Sequence, residues 1–237
     1  MINDFDNMTP QEIIRYFLDK YGDRVALASS LGLEDQVLTD MMLKINPEAR
    51  IFTIDTGRLF PETYSLIDRT NITYGIKMEV YFPEYGSIEG YVRSNGVNAF
   101  YESVEKRKEC CRLRKILPLQ RALSTLDVWI CGLRREQSVT RTEIKVVEYP
   151  KDTSTSSSHA NEADRLIKVN PLINFTEEDL WEYIRANKAP YNSLHEKGFP
   201  SIGCSPCTRA VASGEDIRAG RWWWENPEHK ECGLHIN

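Results

Sequence analysis

RVALASSLGLEDQVLTDMMLKINPEARIFTIDTG, residues 24–57, carries the pattern that decides the fold. Its opening RVALASS is a short apolar run and predicts a strand. Asp35 to Asn46 then sets Val37, Leu38, Met41, Met42 and Ile45 at helical spacing, and RIFTID predicts a second buried strand that ends in the DTG turn. PETYSLIDRTN continues as a helix and KMEVYF as a third strand. The order βαβαβ implies a parallel sheet covered by helices, an α/β fold.

Upstream, TPQEIIRYFLDKYG predicts a helix with Thr9 as N-cap, Pro10 at the first helical position and Gly22 near the exit. Downstream, Ser103 to Leu126 reads as helix and LDVWICGL as a fourth strand. IKVVEYP and LIKVNPL predict strands on either side of KDTSTSSSHANEAD, whose Ser/Thr run from Thr153 to Ser158 cannot help build a core. A mobile surface loop is expected over 151–164. TEEDLWEYIRANK opens with the capping pattern Thr176 to Asp179, and the rest of the chain is rich in Gly and Pro. No linker separates two domains. The expectation is one nucleotide- and cofactor-binding α/β domain over 1–220 and a flexible C-terminal tail over 221–237.

A chain of 237 residues can bury a sizeable core, and 41% hydrophobic with 27% charged residues is an ordinary globular composition. MINDFDNMTPQE lacks the basic and apolar regions of a signal peptide, and no apolar run is long enough to span a bilayer. A cytoplasmic protein without membrane partners is expected. The net charge of −5 argues against a nucleic-acid partner held by phosphate contacts. Six cysteines in a reducing compartment point to metal ligands or catalysis rather than disulfides.

SSLGLED, Ser29 to Asp35, is a small-residue turn between a strand and a helix N-terminus, where backbone N–H groups and the helix dipole can receive an anion. An ordinary tight turn is the competing reading. Asp55, Thr56 and Gly57 fall at the carboxyl end of the second strand, where open α/β sheets bind ligands, and Arg58 could reach an anionic group. Here too a plain turn competes. Lys106, Arg107, Lys108, Arg112, Arg114 and Lys115 are opposed only by Glu109, and Arg218 and Arg221 come later in the chain. Such runs also occur as solvated helix faces.

Four thiols make the most specific constellation: Cys110 and Cys111, with Cys204 and Cys207 in GCSPCTR. CxxC spacing suits zinc, an iron–sulfur cluster or redox chemistry. Neighbouring side chains on a helix point about 100° apart, so both of an adjacent pair bind one small tetrahedral ion awkwardly. A larger cluster with separated iron corners accepts them more easily, with structural zinc as the alternative. Cys131, inside DVWICG, is assigned to the core. Cys232 lies between Lys230 and His235, and nearby positive charge favours the nucleophilic thiolate; an inert thiol is the alternative.

SSLGLED resembles the pyrophosphate loop SGGxDS of the ATP pyrophosphatase superfamily, with Leu31 in place of one glycine and Asp35 in place of the final serine. A carboxylate there disfavours pyrophosphate and implies a nucleotide without a β,γ tail. Together SSLGLED, IDTGRLFPET, KECCRLRK, GLRREQS, PYNSLHEKGFPSIGCSPCTR, RAGRWWWE and KECGLH resemble the assimilatory adenylyl-sulfate reductase family, the iron–sulfur relatives of phosphoadenylyl-sulfate reductase. The likeness runs from about Val25 to His235 and leaves out only the Ser-rich loop.

The resemblance implies a Rossmann-like fold of the adenine nucleotide alpha hydrolase (PP-loop) type and a [4Fe–4S] cluster on Cys110, Cys111, Cys204 and Cys207. It implies that Cys232 attacks the sulfur of adenosine 5′-phosphosulfate, with His235 as its neighbour, and that thioredoxin or glutaredoxin then releases sulfite. Lys115, Arg218 and Arg221 are carried over as sulfate or phosphate contacts, and Ser29, Ser30, Asp55, Gly57, Arg58, Gly132 and Arg134 as residues lining the nucleotide site. Lys115 is four residues beyond Cys111, so on an α-helix the two share a face. The competing functions are reduction of 3′-phosphoadenylyl sulfate, ATP-dependent thiolation of tRNA, and a zinc-stabilised binding module. Whether the chain forms a homo-oligomer stays open.

Overall fold

A computed structural model describes residues 4–137, 144–150 and 165–226. The expected loop over 151–164 and the end of the chain from residue 227, with Cys232 and His235, lie outside the described residues. Cα packing divides the chain into two compact units. One comprises Met1–Thr53, Ser65–Glu79 and Ala122–Asn192, the other Ile54–Tyr64, Val80–Arg121 and Ser193–Asn237.

In the first unit Thr9 caps helix α1 (Pro10–Tyr21): its Oγ1 accepts from Glu12 N–H at 3.3 Å, and the Glu12 carboxylate accepts from Thr9 N–H at 2.8 Å. Strand β1 (Val25–Ser29) leads into helix α2 (Leu33–Ile45), which starts two residues earlier than its apolar spacing indicates. Strand β2 (Arg50–Ile54), helix α3 (Pro61–Tyr74) and strand β3 (Glu79–Tyr81) come next. Strands β4 (Val128–Ile130), β5 (Val147–Glu148) and β6 (Ile167–Val169) complete the sheet, and helix α7 (Glu177–Asn187) carries the expected Thr176–Asp179 capping box.

The sheet order is β3-β2-β1-β4-β6-β5. β1 pairs in parallel with β2 and β4, β4 in parallel with β6, and β5 is antiparallel to β6. This is the mostly parallel α/β sheet that the βαβαβ pattern predicts. Val25, Leu27, Val128, Ile130 and Val169 are fully or almost fully buried against Ile14 and Phe17 of α1, Val37, Leu38 and Met42 of α2, and Leu180 of α7. Continuous apolar strands are what burial on both faces of a parallel sheet requires. The chain moves outward through β2 and β3 and then returns to the other side of β1 as β4. The β1 and β4 ends therefore form a topological switch point, where open α/β sheets place ligands.

The second unit holds α4 (Tyr85–Asn95), α5 (Val104–Cys111) and most of α6 (Leu117–Leu123). Helix α4 has no counterpart among the sequence expectations; its mixed apolar spacing is weak, and it is started by Glu84, whose carboxylate accepts from Gly86 and Ser87 N–H. The single helix expected over 103–126 is interrupted by a π turn, Arg112–Ile116, in which Leu117 N–H reaches back five residues to Arg112 O. Pro118 lacks the N–H that would continue an α-helical ladder, and the wide turn accommodates that loss.

Residues 221–226, which the sequence reading places in the tail, are packed into this unit. Trp222 is 2% exposed and the Glu225 side chain 4%. Among the described residues no helix is long and apolar enough to cross a membrane.

Candidate functional site

The first unit holds the turn from β1 into α2. Leu31 holds φ +64°, a left-handed backbone in which a glycine is at ease, and its side chain is only 1% exposed. Burial of the isobutyl group offsets the backbone cost, which explains how Leu stands where the related loop has Gly. Asp35, 5% exposed, folds its carboxylate back onto the turn: Oδ2 accepts from Ser30 N–H at 2.6 Å and from Ser30 Oγ at 2.6 Å. The Ser29 hydroxyl accepts from Leu31 N–H at 3.1 Å. The anion position of this turn is thus taken by the chain's own carboxylate.

Gly132, just beyond β4, lies against the same turn. A Cβ there would fall 2.8 Å from Glu34 Cβ and run into the Asp35 carboxylate. Arg134 is buried and engaged: its Nε donates to Glu34 at 2.9 Å, and its Nη1 donates to Glu136 at 2.6 Å and to Phe175 O at 3.1 Å. It braces the start of α2 through Glu34 rather than standing as a free cation.

In the second unit the DTG turn is held by Asp55. Its carboxylate accepts from Gly57 N–H at 2.7 Å and from the Tyr64 hydroxyl at 2.9 Å; burial and then Asp55 push the Tyr64 phenol up to about 12. Gly57 sits at φ +71°. Arg58 donates to Asn98 Oδ1 at 3.1 Å and Val97 O at 2.7 Å and covers the Phe100 ring, while its carbonyl accepts from Ser205 N–H at 2.8 Å. The Arg58 backbone thereby ties the DTG turn to the CSPC segment.

That tie brings the thiols together. Cys110 and Cys207 are buried in one packed cluster with Tyr91, Phe100, Leu113 and Trp222, and Cys111 and Cys204 pack against it. The Thr56 hydroxyl lies 3.2 Å from Cys204 Sγ. Arg114, also buried, donates to Thr56 O at 2.8 Å, and its charge lies near the Cys110 thiol. Burial pushes Cys110 up, with Arg114 opposing, and burial with the neighbouring Cys204 and Cys110 thiols pushes Cys207 up to about 12. Burial disfavours the thiolate of Cys110 and Cys207, and bound iron would supply the positive charge that thiolates need. Trp222 Nε1 is buried with no hydrogen-bond partner among the described residues, a donor that cluster or thiolate sulfur would satisfy. Among the described residues no three His, Cys, Asp or Glu side chains converge as one metal ion requires. Cys110 and Cys207 in one apolar cluster, Cys111 and Cys204 packed against it and an orphaned donor are the groups that an iron–sulfur cluster would use.

Lys115 and Arg218 are half-buried, and Arg218 N–H donates to Asp216 Oδ1 at 2.8 Å. The Arg221 guanidinium lies 4.8 Å from the Trp222 ring centroid. Its Nε has no partner among the described residues, and its Nη1 makes only contacts of 3.5 Å to Ser201 Oγ and Ile202 O. An Arg with unused donors is poised for an anion. The structure singles out Arg114 and Arg107, which the basic run does not distinguish from its neighbours. Arg107, in contrast to Arg221, is bound bidentately by Glu225, a pairing across 118 residues that leaves no local signal.

Residues 24–210 match the model of the phosphoadenosine phosphosulfate reductase domain. A protein named adenosine 5′-phosphosulfate reductase from Allochromatium vinosum is 49% identical over 213 residues, covering 90% of this chain and 79% of the relative. Among solved structures, phosphoadenylyl-sulfate reductase from Candida auris, a phosphate complex, superposes with a TM-score of 0.70 at 26% identity, covering 88% of this chain and 93% of that one. FMN adenylyltransferase from Candida glabrata, with FAD and inorganic pyrophosphate, reaches 0.54 at 13% identity over 94% and 75% of the two chains; it shares the fold.

Proposed function

Because this chain belongs to the phosphoadenosine phosphosulfate reductase family, we propose that it reduces adenosine 5′-phosphosulfate to sulfite and AMP in sulfate assimilation, as the names of relatives at 49–50% identity indicate. The observation that carries the reaction class is the Asp35 carboxylate in the anion position of the β1–α2 turn. An enzyme that handled ATP would need that position for pyrophosphate. A sulfonucleotide carries one phosphate and a sulfo group and leaves no such tail to place.

Cys232 thiolate attacks the sulfo sulfur, the bond from sulfur to the phosphate oxygen breaks, and AMP departs with that electron pair. The product on the enzyme is the S-sulfonate of Cys232. A thiolate of thioredoxin, or of a glutaredoxin, then attacks Cys232 Sγ; sulfite leaves, and a second thiol of the reductant resolves the mixed disulfide. His235 lies three residues on as a neighbour for the nucleophile. Arg221, Arg218 and Lys115 offset charge gathering on the sulfo and phosphate oxygens. Ser29, Ser30 and Gly132 in the first unit, with Arg134 bracing their turn through Glu34, and Asp55, Gly57 and Arg58 in the second are the residues assigned to the nucleotide.

Cys110, Cys111, Cys204 and Cys207 hold the [4Fe–4S] cluster, and Arg114 and Thr56 lie beside two of these thiols. The cluster, when bound, supplies charge and rigidity beside the substrate cations. The reducing cytoplasm suits all of these thiols.

Anaerobically purified protein incubated with adenosine 5′-phosphosulfate should gain a sulfonate by intact mass, and Cys232→Ser should not. An adduct that persists in the variant would sink the nucleophile assignment. Faster modification by the 3′-phosphorylated nucleotide would instead assign it to 3′-phosphoadenylyl sulfate.

A further inference from the structure

At residues 221–225 the backbone makes an unusual turn. Trp222 holds φ +42°, a conformation that bulky L-residues rarely adopt, and Glu225 N–H closes the turn onto Trp222 O at 2.9 Å. Trp222 N–H donates to Cys207 O at 3.1 Å, and Arg221 bridges to Thr208. Two guanidiniums approach the one indole: Arg107 and Arg221 each lie 4.8 Å from its centroid. Two cations on one ring repel unless one is neutralised. Glu225 does this for Arg107, accepting from Nε at 2.9 Å and from Nη2 at 2.7 Å, with the pair 1% and 4% exposed.

We propose that Arg107 and Glu225 are positioning residues, whose buried ion pair holds the Trp222 ring so that the ring presents the Arg221 guanidinium to the anionic substrate. This rests on the proposed function, in which Arg221 addresses the sulfonucleotide. Glu225 fixes Arg107, Arg107 and the strained turn fix the indole, and the indole with Gly203 leaves Arg221 one place to lie. A Cβ on Gly203 would come within 2.5 Å of Arg221 Cζ. With Glu225 neutral, Arg107 loses the bidentate carboxylate that offsets its charge, and its repulsion with Arg221 across the indole grows.

The test is a double-mutant cycle on the anaerobic holoenzyme with Glu225→Gln, Arg221→Lys and both together. Adduct formation on Cys232 is followed against adenosine 5′-phosphosulfate concentration, with visible cluster absorption read in the same samples. Glu225→Gln should keep the cluster and raise the half-saturating concentration roughly tenfold, the scale of one hydrogen bond to a charged group. The double variant should be no worse than Arg221→Lys, and Glu225→Asp should restore most of the affinity. Additive penalties, or an unchanged half-saturation, overturn the proposal. Should Glu225→Gln lose its cluster, Arg107→Lys is measured by the same criteria; loss in both variants makes the pair structural and overturns it too. No adduct in the wild-type protein would mean that the functional reading itself fails, whereas an adduct in the wild type with Glu225→Gln indistinguishable from it sinks the positioning role alone.

Discussion

Replacing Asp35 should turn a closed anion position into an open one. Its carboxylate accepts two bonds of 2.6 Å from Ser30 while 5% exposed. A hydrogen bond to a charged group contributes about 1.5–3 kcal/mol, but Ser30 itself is exposed and water can replace the lost partner. Asp35→Ala should therefore cost about 2–3 kcal/mol, a fall of roughly 5–10 °C in Tm for a chain of this size. Asp35→Asn keeps an acceptor and should cost about 1 kcal/mol. The electrostatic consequence is larger. A phosphate oxygen about 4 Å from the carboxylate is repelled by about 4 kcal/mol at an effective dielectric of about 20, roughly a thousandfold in affinity. Inorganic pyrophosphate should leave the wild-type Tm unchanged but raise that of Asp35→Asn, with about 2.7 kcal/mol gained at a hundred times the dissociation constant. Differential scanning fluorimetry and calorimetric titration read both effects. Wild-type protein that binds pyrophosphate as tightly as Asp35→Asn would refute the reasoning, as would a variant that binds none.

Gly132→Ala should destabilise the protein by about 1–3 kcal/mol, because the new methyl overpacks rigid atoms of the β1–α2 turn; thermal melts would show it. Gly203→Ala meets the movable end of the Arg221 side chain first, so Tm and cluster absorption should hold while the affinity for AMP and substrate falls; unchanged affinity would show that Arg221 does not need that slot. Tyr74 and Tyr183 donate to the buried Asp40 at 2.9 and 2.7 Å, and burial with Asp40 raises both phenols. A folded pKa above the unfolded value of about 10 gives stability that is complete below pH of about 10 and is lost as pH rises beyond it. Alkaline melts should show that limb, and Tyr183→Phe should flatten it while costing about 1–3 kcal/mol at neutral pH.

Much of the first unit was legible along the chain because it depends on near neighbours. β1, α2 and β2 come from apolar spacing, α1 from Thr9, Pro10 and Gly22, and α7 from capping residues three positions apart. Asp35 could be singled out along the chain because the turn and the carboxylate lie within seven residues. Helix α4 was not, since its apolar positions are sparse and its cap is a Glu rather than a Ser, Thr, Asn or Asp. The π turn at Arg112–Ile116 was not, since Pro118 inside a helical stretch is compatible with a break, a kink or a wide turn.

Residue chemistry alone determined which groups were available: four thiols in two pairs, a degenerate anion loop, and a surplus of Lys and Arg around Cys110 and Cys111. Only the tertiary structure decided which partners each of those groups meets. Six cations close together in sequence are equivalent until their partners, near and distant, separate them. Arg107 takes Glu225, Arg112 takes Glu109, and Arg114 takes Thr56 O near the Cys110 thiol, whereas among the described cations Arg221 keeps a buried donor without a partner. The physical reason is that charge is carried by composition, whereas its availability depends on burial and on partners as much as 118 residues away.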